Sequence, residues 1–396
     1  MSDVEGELLS AYAASDWPRA VGLVETHWTS LLFAPSTTDV VFATVREAPE
    51  DELVRCPRAG LIAEAIGRLP VRSVPVTLPG GAARVDEVLR RGTARSLVEI
   101  ATLAMISRRV AGLLTEATAL AEASRPLVRA AATTRFSPAA DLAAYWHLQA
   151  GQAALHAGDL DQARLDLRHA WTFSPDDVTG YVAASAAPFL ALLAALAGDD
   201  AEGARWQQEV DRLAEHGVEL YEWDTMERPR LVARLLHAAD RLDLEEGARL
   251  TEALLPQLSF DEIWPVTVYA VVRHLVNAGE PSRAEQVLDA AVALHAPSVP
   301  GSMHATYTAL ARADLALAHG RPDVRLTPSE ARVLTALAED GSLPEVAERL
   351  FISRNTLKTH VRALYAKLDV SSRDEAVALG HRLGLLGTSK ARHPDG

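Results

Sequence analysis

From about Ser96 to His319, apolar residues recur at intervals of three and four, without long β-branched alternation. That period marks one face of an α-helix. Short polar breaks punctuate the pattern: AGDLDQ at 157–162, AGDDAEG at 197–203 and NAGEPSR at 277–283. Each is followed by Ala-Arg or Ala-Glu and a fresh amphipathic run, so the pattern predicts stacked helix pairs that repeat along the chain. Residues 34–95 are less regular. PSTTDVVFATVREAPEDELVRCPRAGLIAEAIGRL predicts two or three short helices broken at Pro49 and Pro57. PVRSVPVTLPGG (70–81) reads as a loop between helical groups or as a short hairpin.

After AHGRPDV the pattern tightens into four short helices. Thr327 or Pro328 starts the first, with an apolar face of Ala331, Leu334, Leu337 and Ala338, and Gly341 stops it. Pro344 opens a second helix through Leu350. Ser353 caps a third through about Leu368, and Arg373 to Leu383 makes a fourth. The turn FIS between the second and third suits a helix-turn-helix. In the third helix, Leu357, Val361, Leu364 and Leu368 form one stripe directed to a core, while Lys358, Thr359 and Arg362 share another face.

Composition agrees with an all-α chain. Leu and Ala dominate, aromatic residues make up 5% and charged residues 23% of the 396 residues. The length suffices for two or three domains. The lone cysteine, Cys56, excludes an intramolecular disulfide framework and fits a cytoplasmic protein. No secretory signal is expected from MSDVEGELLSAYAASDW, and SAAPFLALLAALAGDD reads as a buried helix, so no membrane partner is expected.

Charge is unevenly placed. The chain carries a formal -14, but residues 325–396 hold 11 Lys/Arg against 9 Asp/Glu, a balance of +2, which leaves -16 on the preceding part. FISRNTLKTHVRALYAKL (351–368) has four basic residues and no acid. An acidic body is poorly suited to holding a polyanion, so any nucleic-acid contact is expected on the tail. A helix fits the major groove, where Lys and Arg meet guanine O6 and N7 and a Thr methyl meets thymine. Ser353, Thr356, the amides at the helix start and Lys367 suit phosphates, and Asn355 is a further DNA-binding candidate. The competing reading, a merely solvated basic face, is disfavoured by the ordered pattern around it.

Two resemblances follow from these residues. AGQAALHAGDLDQARLDLRHAWTFSP, with Gly151, Ala154, Gly158, Ala163, Leu167 and Ala170 at its small or apolar positions and Pro175 closing it, resembles a tetratricopeptide repeat. Echoes centre on Ala20, Ala204, Ala248 and Ala284, at irregular spacing, so the array is TPR-like. Residues 326–386, through LTPSEARVL, EVAERLFIS, Ser353-x-x-Thr356-Leu357-Lys358-x-His360 and Lys367-Leu368, resemble the LuxR-type (NarL/FixJ-type) helix-turn-helix. The resemblance implies double-stranded DNA as partner, base contacts from Lys358, Thr359 and Arg362, phosphate contacts near Thr356 and Lys367, and a homodimer. GSLPEVA departs from the family's polar run, which implies loss of a cap and of a basic phosphate contact on the second helix, and so a modest affinity. Whether Ala376, Val377, Leu379, Gly380 and Leu383 form a dimer seam or only a packing lid stays open.

The expected layout is a TPR-like sensor or interaction domain over 1–320, a linker at 321–325, the DNA reader at 326–386 and a disordered tail at 387–396. No G-x-x-x-x-G-K-[ST] motif is present, so the ATPase of the large LuxR-type regulators is missing from this sequence. Nor does the start alternate β and α as a phospho-receiver does. The histidines lack metal spacing, and the acidic run ELYEWDTMER (219–228) reads as solvated, so neither a metal, a cofactor nor an enzymatic constellation is expected. Trp146, Trp171, Tyr221 and Trp223 are candidates to line a pocket for a small-molecule or protein effector, against the plainer reading that they fill the core. The function expected is a transcriptional regulator, the alternative a TPR-like protein-interaction scaffold whose DNA binding is weak or lost.

Overall fold

The computed structural model describes residues 3–32, 36–78, 85, 88–89, 91, 93–133, 142–174, 180–215, 224–256, 262–295, 299–319, 326–339, 341–350, 352–368, 370, 372–382 and 386. Among them it contains twenty α-helices and no strand. The expected linker 321–325 and tail 387–396, together with Pro175, Tyr221 and Trp223, lie outside the described residues. Contacts gather the chain into two compact units, Met1–Ala278 with Ser282–Arg312, and Gly279–Pro281 with Ala313–Gly396.

The first unit opens with α1 (Asp3–Ala13) and α2 (Trp17–Leu32), followed by α3 (Thr38–Glu47), α4 (Glu50–Arg55) and α5 (Pro57–Ala65). Pro49 stands at the N-cap of α4 and Pro57 opens α5, so both prolines punctuate as expected. Residues 70–78 form irregular turns rather than a hairpin. Buried Val74 fastens them, its amide donating to Glu64 Oε1 at 2.8 Å.

Five further pairs follow: α6 (Ala94–Val110) with α7 (Leu114–Thr133), α8 (Ala143–Ala157) with α9 (Leu160–Phe173), α10 (Gly180–Ala197) with α11 (Asp200–Glu215), α12 (Asp224–Asp240) with α13 (Leu244–Leu254), and α14 (Trp264–Asn277) with α15 (Pro281–Leu294); α16 (Met303–His319) comes last. One turn chemistry joins each pair. The first helix ends in a left-handed residue, Ser15, Gly112, Gly158, Gly198, Leu242 or Gly279. The next residue starts the second helix, and in four pairs it is an aspartate (Asp16, Asp159, Asp199, Asp243) whose carboxylate caps the amide three residues on. Backbone bonds such as Asp159 N to Ala154 O at 2.9 Å close the preceding carbonyls. So short a reversal makes the two helices antiparallel.

Four residues beyond each cap sits a small buried residue: Ala20, Ala117, Ala163, Gly203, Gly247 or Ala284. This corrects two of the repeat centres expected from sequence. Ala204 and Ala248 are exposed, and the buried positions are Gly203 and Gly247 beside them. The physical reason is bulk on the facing helix. A Cβ on Gly203 would stand 2.8 Å from His237 Nε2, and one on Gly247 2.2 Å from His274 Nδ1. Alanine does not fit there, so the repeat continues through glycine. Gly151, the anchor of the sharpest unit, is constrained likewise by Leu167 at 2.7 Å.

Helix α10 is long and apolar enough by composition to cross a membrane, but 72% of it is buried within the unit. It packs against α9, α11 and α12, which accounts for its apolarity.

The second unit holds α17 (Pro328–Ala338), α18 (Leu343–Arg349), α19 (Arg354–Leu368) and α20 (Arg373–Arg382) around one core. The observed boundaries lie within a residue or so of those expected. The buried face of α17 differs: Val333, Leu334, Ala336 and Leu337 are inside, whereas Ala338 is exposed and Ala331 half-buried. The α17 face turned to α19 and α20 is rotated toward its Val333 side.

Candidate nucleic-acid interface

Helix α19 is positioned by its own apolar stripe. Leu357, Val361, Leu364 and Leu368 are all buried, and each contributes roughly 1.5–3 kcal/mol of burial. Its start is fixed by Ser353, whose Oγ accepts the Thr356 amide at 3.1 Å and lies 2.8 Å from the Thr356 hydroxyl. Once that stripe is inside, the opposite surface is determined. Ser353, Asn355, Thr356, Lys358, Thr359, Arg362 and Lys367 are all exposed. The structure therefore brings the expected residues together on one helix and its cap.

Their chemistry is not equal. Thr359 spends its hydroxyl proton on Asn355 O at 3.0 Å, which leaves its methyl and lone pairs for a partner. Lys367 is tied down: its Nζ donates to Glu330 Oε2 at 2.8 Å. Lys367 first, and then the Thr327 backbone, hold the Glu330 carboxyl below its ordinary range. Among the described residues, Arg354, Lys358 and Arg362 have no acidic partner. Arg354 was not among the expected contacts. It opens the helix on the exposed side, and its place directly after the cap is the signal that could have found it.

The remaining helices form a rigid mount. Thr327 and Glu330 make a capping box on α17, with the Thr327 amide donating to Glu330 Oε2 at 2.7 Å. The second helix keeps a cap, contrary to expectation. The Ser342 amide and hydroxyl donate to Glu345 Oε2 at 2.6 and 3.0 Å, so Ser and Glu supply chemically what the departing GSLPEVA run was expected to lack. At the other end of α17, the Arg373 guanidinium donates to the carbonyls of Leu337, Glu339 and Gly341, the first two at 2.8 and 2.5 Å. It thereby satisfies the orphan acceptors of a helix C-terminus. Sequence reading missed this role because the partners lie more than thirty residues upstream.

The fourth helix spends its small residues internally. Ala376 is fully buried, and a Cβ on Gly380 would stand 2.9 Å from Leu386 Cδ1 and 3.1 Å from Leu334 Cδ2. Val377 and Leu379 pack half-buried on the same core. Leu383 lies outside the described residues.

The candidate effector residues fare differently. Trp146 is fully buried, donates through Nε1 to Ser124 Oγ at 3.0 Å, and has the Arg125 guanidinium 5.2 Å from its ring. It is a core residue and lines none of the described clefts. Trp171 is half-buried and meets Trp206 edge-on at 5.4 Å. Trp171 also packs against buried Ala184 and Leu213.

Histidines do cluster across two helices, which spacing along one helix could not reveal. Ligand-type atoms of His147, Asp166 and His169 lie within 4.8 Å of one another. Asp166, however, already accepts from Arg125 at 2.7 and 3.0 Å, from Gln162 at 2.7 Å and pairs with His147 at 2.8 Å. Burial alone would raise its pKa, but these bonds prevail and hold it at about 2. The group is arranged as a buried ion-pair network, its negative charge met by arginine. Cys56 is half-buried, and burial pushes its thiol up, away from a reactive thiolate.

An all-α chain ending in a helix-turn-helix with a basic, outward-facing third helix defines a class, and the comparisons agree. Residues 324–379 match the family model described as "Bacterial regulatory proteins, luxR family", and the C-terminal domain is a helix-turn-helix of that family. Among the relatives, the chain is similar to the transcriptional regulatory protein LiaR of Bacillus subtilis, 30% identical over 122 residues, 31% of this chain and 56% of that protein. It is similar to "Probable HTH-type transcriptional regulator GfsR" of Streptomyces halstedii, 30% identical over 128 residues, 30% of this chain and 51% of the relative. With YhcZ of Bacillus subtilis, a transcriptional regulatory protein by its name, it shares 44% identity over 63 residues, 16% of this chain and 29% of the relative. The chain thus spans about half the length, or less, of these relatives. No solved structure matches it.

Proposed function

We propose that this protein is a DNA-binding transcriptional regulator that inserts α19 into the major groove. One observation carries the reading: the helix is locked by four buried apolar residues while Lys358, Thr359 and Arg362 stand exposed on it, within a luxR-family domain. Lys358 and Arg362 read guanine edges, and the Thr359 methyl meets thymine. Ser353, Asn355 and Thr356 lie where the helix start meets phosphate, and Arg354 adds a further cation there. Lys367 contributes less, because a phosphate has to compete with Glu330 for it. The protein acts as a homodimer on a site of matching symmetry. Ala376 and Gly380 are spent on the domain's own core, so among the described side chains of α20 the apolar ones left to meet a second copy are Val377 and Leu379, both half-buried.

The repeat body is a sensing unit that responds to an effector, and it has no enzymatic task. The reading is tested by retaining fragmented genomic DNA on the purified protein and sequencing it. Wild type enriches discrete sites, whereas Lys358→Ala and Arg362→Ala flatten the enrichment. Uniform retention by wild type and variants alike would favour a scaffold without sequence reading.

A further inference from the structure

Within the body, the repeat array closes on itself. The turn before α14 returns to α6, where Glu262 pairs with Arg109, and a Cβ on Gly158 would stand 2.5 Å from Gly301 O. The closure is unequal in its two halves. The Arg109 side chain is 6% exposed and the Glu262 side chain 36%. Arg109 Nη2 donates to Gln149 Oε1 at 3.2 Å, yet its Nε is buried with no partner. In the segment that follows Glu262, two further buried nitrogens are unpartnered, Trp264 Nε1 and His304 Nε2, with the two rings 5.7 Å apart. His156 joins the groups, 3.7 Å from Glu262 and with its ring 6.1 Å from that of His304. Burial holds the pKa of Arg109 at about 10, so it stays charged at neutral pH.

An unmade hydrogen bond on a buried charged donor is costly, so the Arg109 guanidinium asks for a further oxygen acceptor. Glu262 can return to water at small cost, whereas Arg109 cannot. We propose that this cluster is the effector site of the body, and that it takes a small organic carboxylate. The incoming carboxylate replaces that of Glu262 on Arg109 and accepts from the unpartnered Arg109 Nε as well. Glu262 is therefore a built-in competitor, and its release undoes the tie between α6 and the α14 turn. This site rests on the reading of the body as a sensing unit.

The test is titration of the full chain with sodium benzoate, and with benzamide as the neutral isostere, followed by calorimetry and by the thermal midpoint. Benzoate raises the midpoint of wild type and benzamide does not. Glu262→Gln, which removes the competitor, tightens benzoate binding by about tenfold, as expected when a competing closed form is removed. Arg109→Gln abolishes binding; should that variant not fold, the Glu262→Gln comparison decides. Absence of benzoate binding in both wild type and Glu262→Gln, or equal response to benzamide, overturns the proposal. Site-selective DNA retention without benzoate binding sinks this site alone, whereas benzoate binding without DNA selectivity sinks the regulator reading and leaves the site.

Discussion

At the scale of single residues, two glycines in equivalent turns separate backbone strain from packing. Gly158 and Gly198 are both left-handed, at φ +89° and +70°, but only Gly158 faces a neighbour, Gly301 O. Gly198→Ala should cost roughly 1 kcal/mol, the ordinary penalty of a left-handed alanine. Gly158→Ala should cost roughly 2 kcal/mol or more, because the closure of the array has to give way as well. Chemical denaturation of both variants checks the difference. Asp166 makes a second residue-scale prediction. Its folded pKa of about 2 lies below the ordinary 3.8, so it stabilises the body above pH 3.8 and loses that contribution as pH falls toward 2. The shift corresponds to about 2 kcal/mol. Asp166→Asn should lower stability at pH 7 and flatten the acid limb of a stability profile measured between pH 5 and pH 2.

At the scale of elements, the reader domain depends on how helix ends are closed. Arg373→Ala leaves the carbonyls of Leu337, Glu339 and Gly341 without their charged donor, and should destabilise the domain by about 2 kcal/mol. Hydrogen exchange in α17 and α20 measures it, and the body helices should be unaffected. Ser353→Ala removes the cap of α19 and should cost about 1 kcal/mol, read as faster exchange at residues 354–357. These elements also show what sequence can and cannot carry. The boundaries of α17 to α20 were legible because caps, prolines and a period of 3.6 mark them locally. The stripe Leu357, Val361, Leu364 and Leu368 was legible for the same reason. Arg373 and the Lys367–Glu330 pair were not, since each joins residues more than thirty apart. In the body the pattern located the helix pairs but misplaced two buried positions by one residue. Only the bulk of His237 and His274 opposite Gly203 and Gly247 decides that register. The Arg109 and Glu262 closure was invisible for a related reason, as nothing local links two repeats so far apart.

At the scale of the whole molecule, the division of charge gives the account its shape. The whole chain's formal -14 divides into -16 before residue 325 and +2 over residues 325–396. Binding to DNA should therefore be confined to the reader and should weaken with salt, by a log–log slope of about -0.9 for each phosphate neutralised. The most direct test of the central claim is the affinity for a site recovered from genomic DNA, measured by fluorescence anisotropy across a salt series. Wild type, Lys358→Ala, Arg362→Ala and the body control Arg249→Ala are compared. The account predicts that each reader variant loses roughly 1–3 kcal/mol and tolerates altered bases, while Arg249→Ala matches wild type. Unchanged affinity and base preference in both Lys358→Ala and Arg362→Ala would contradict it.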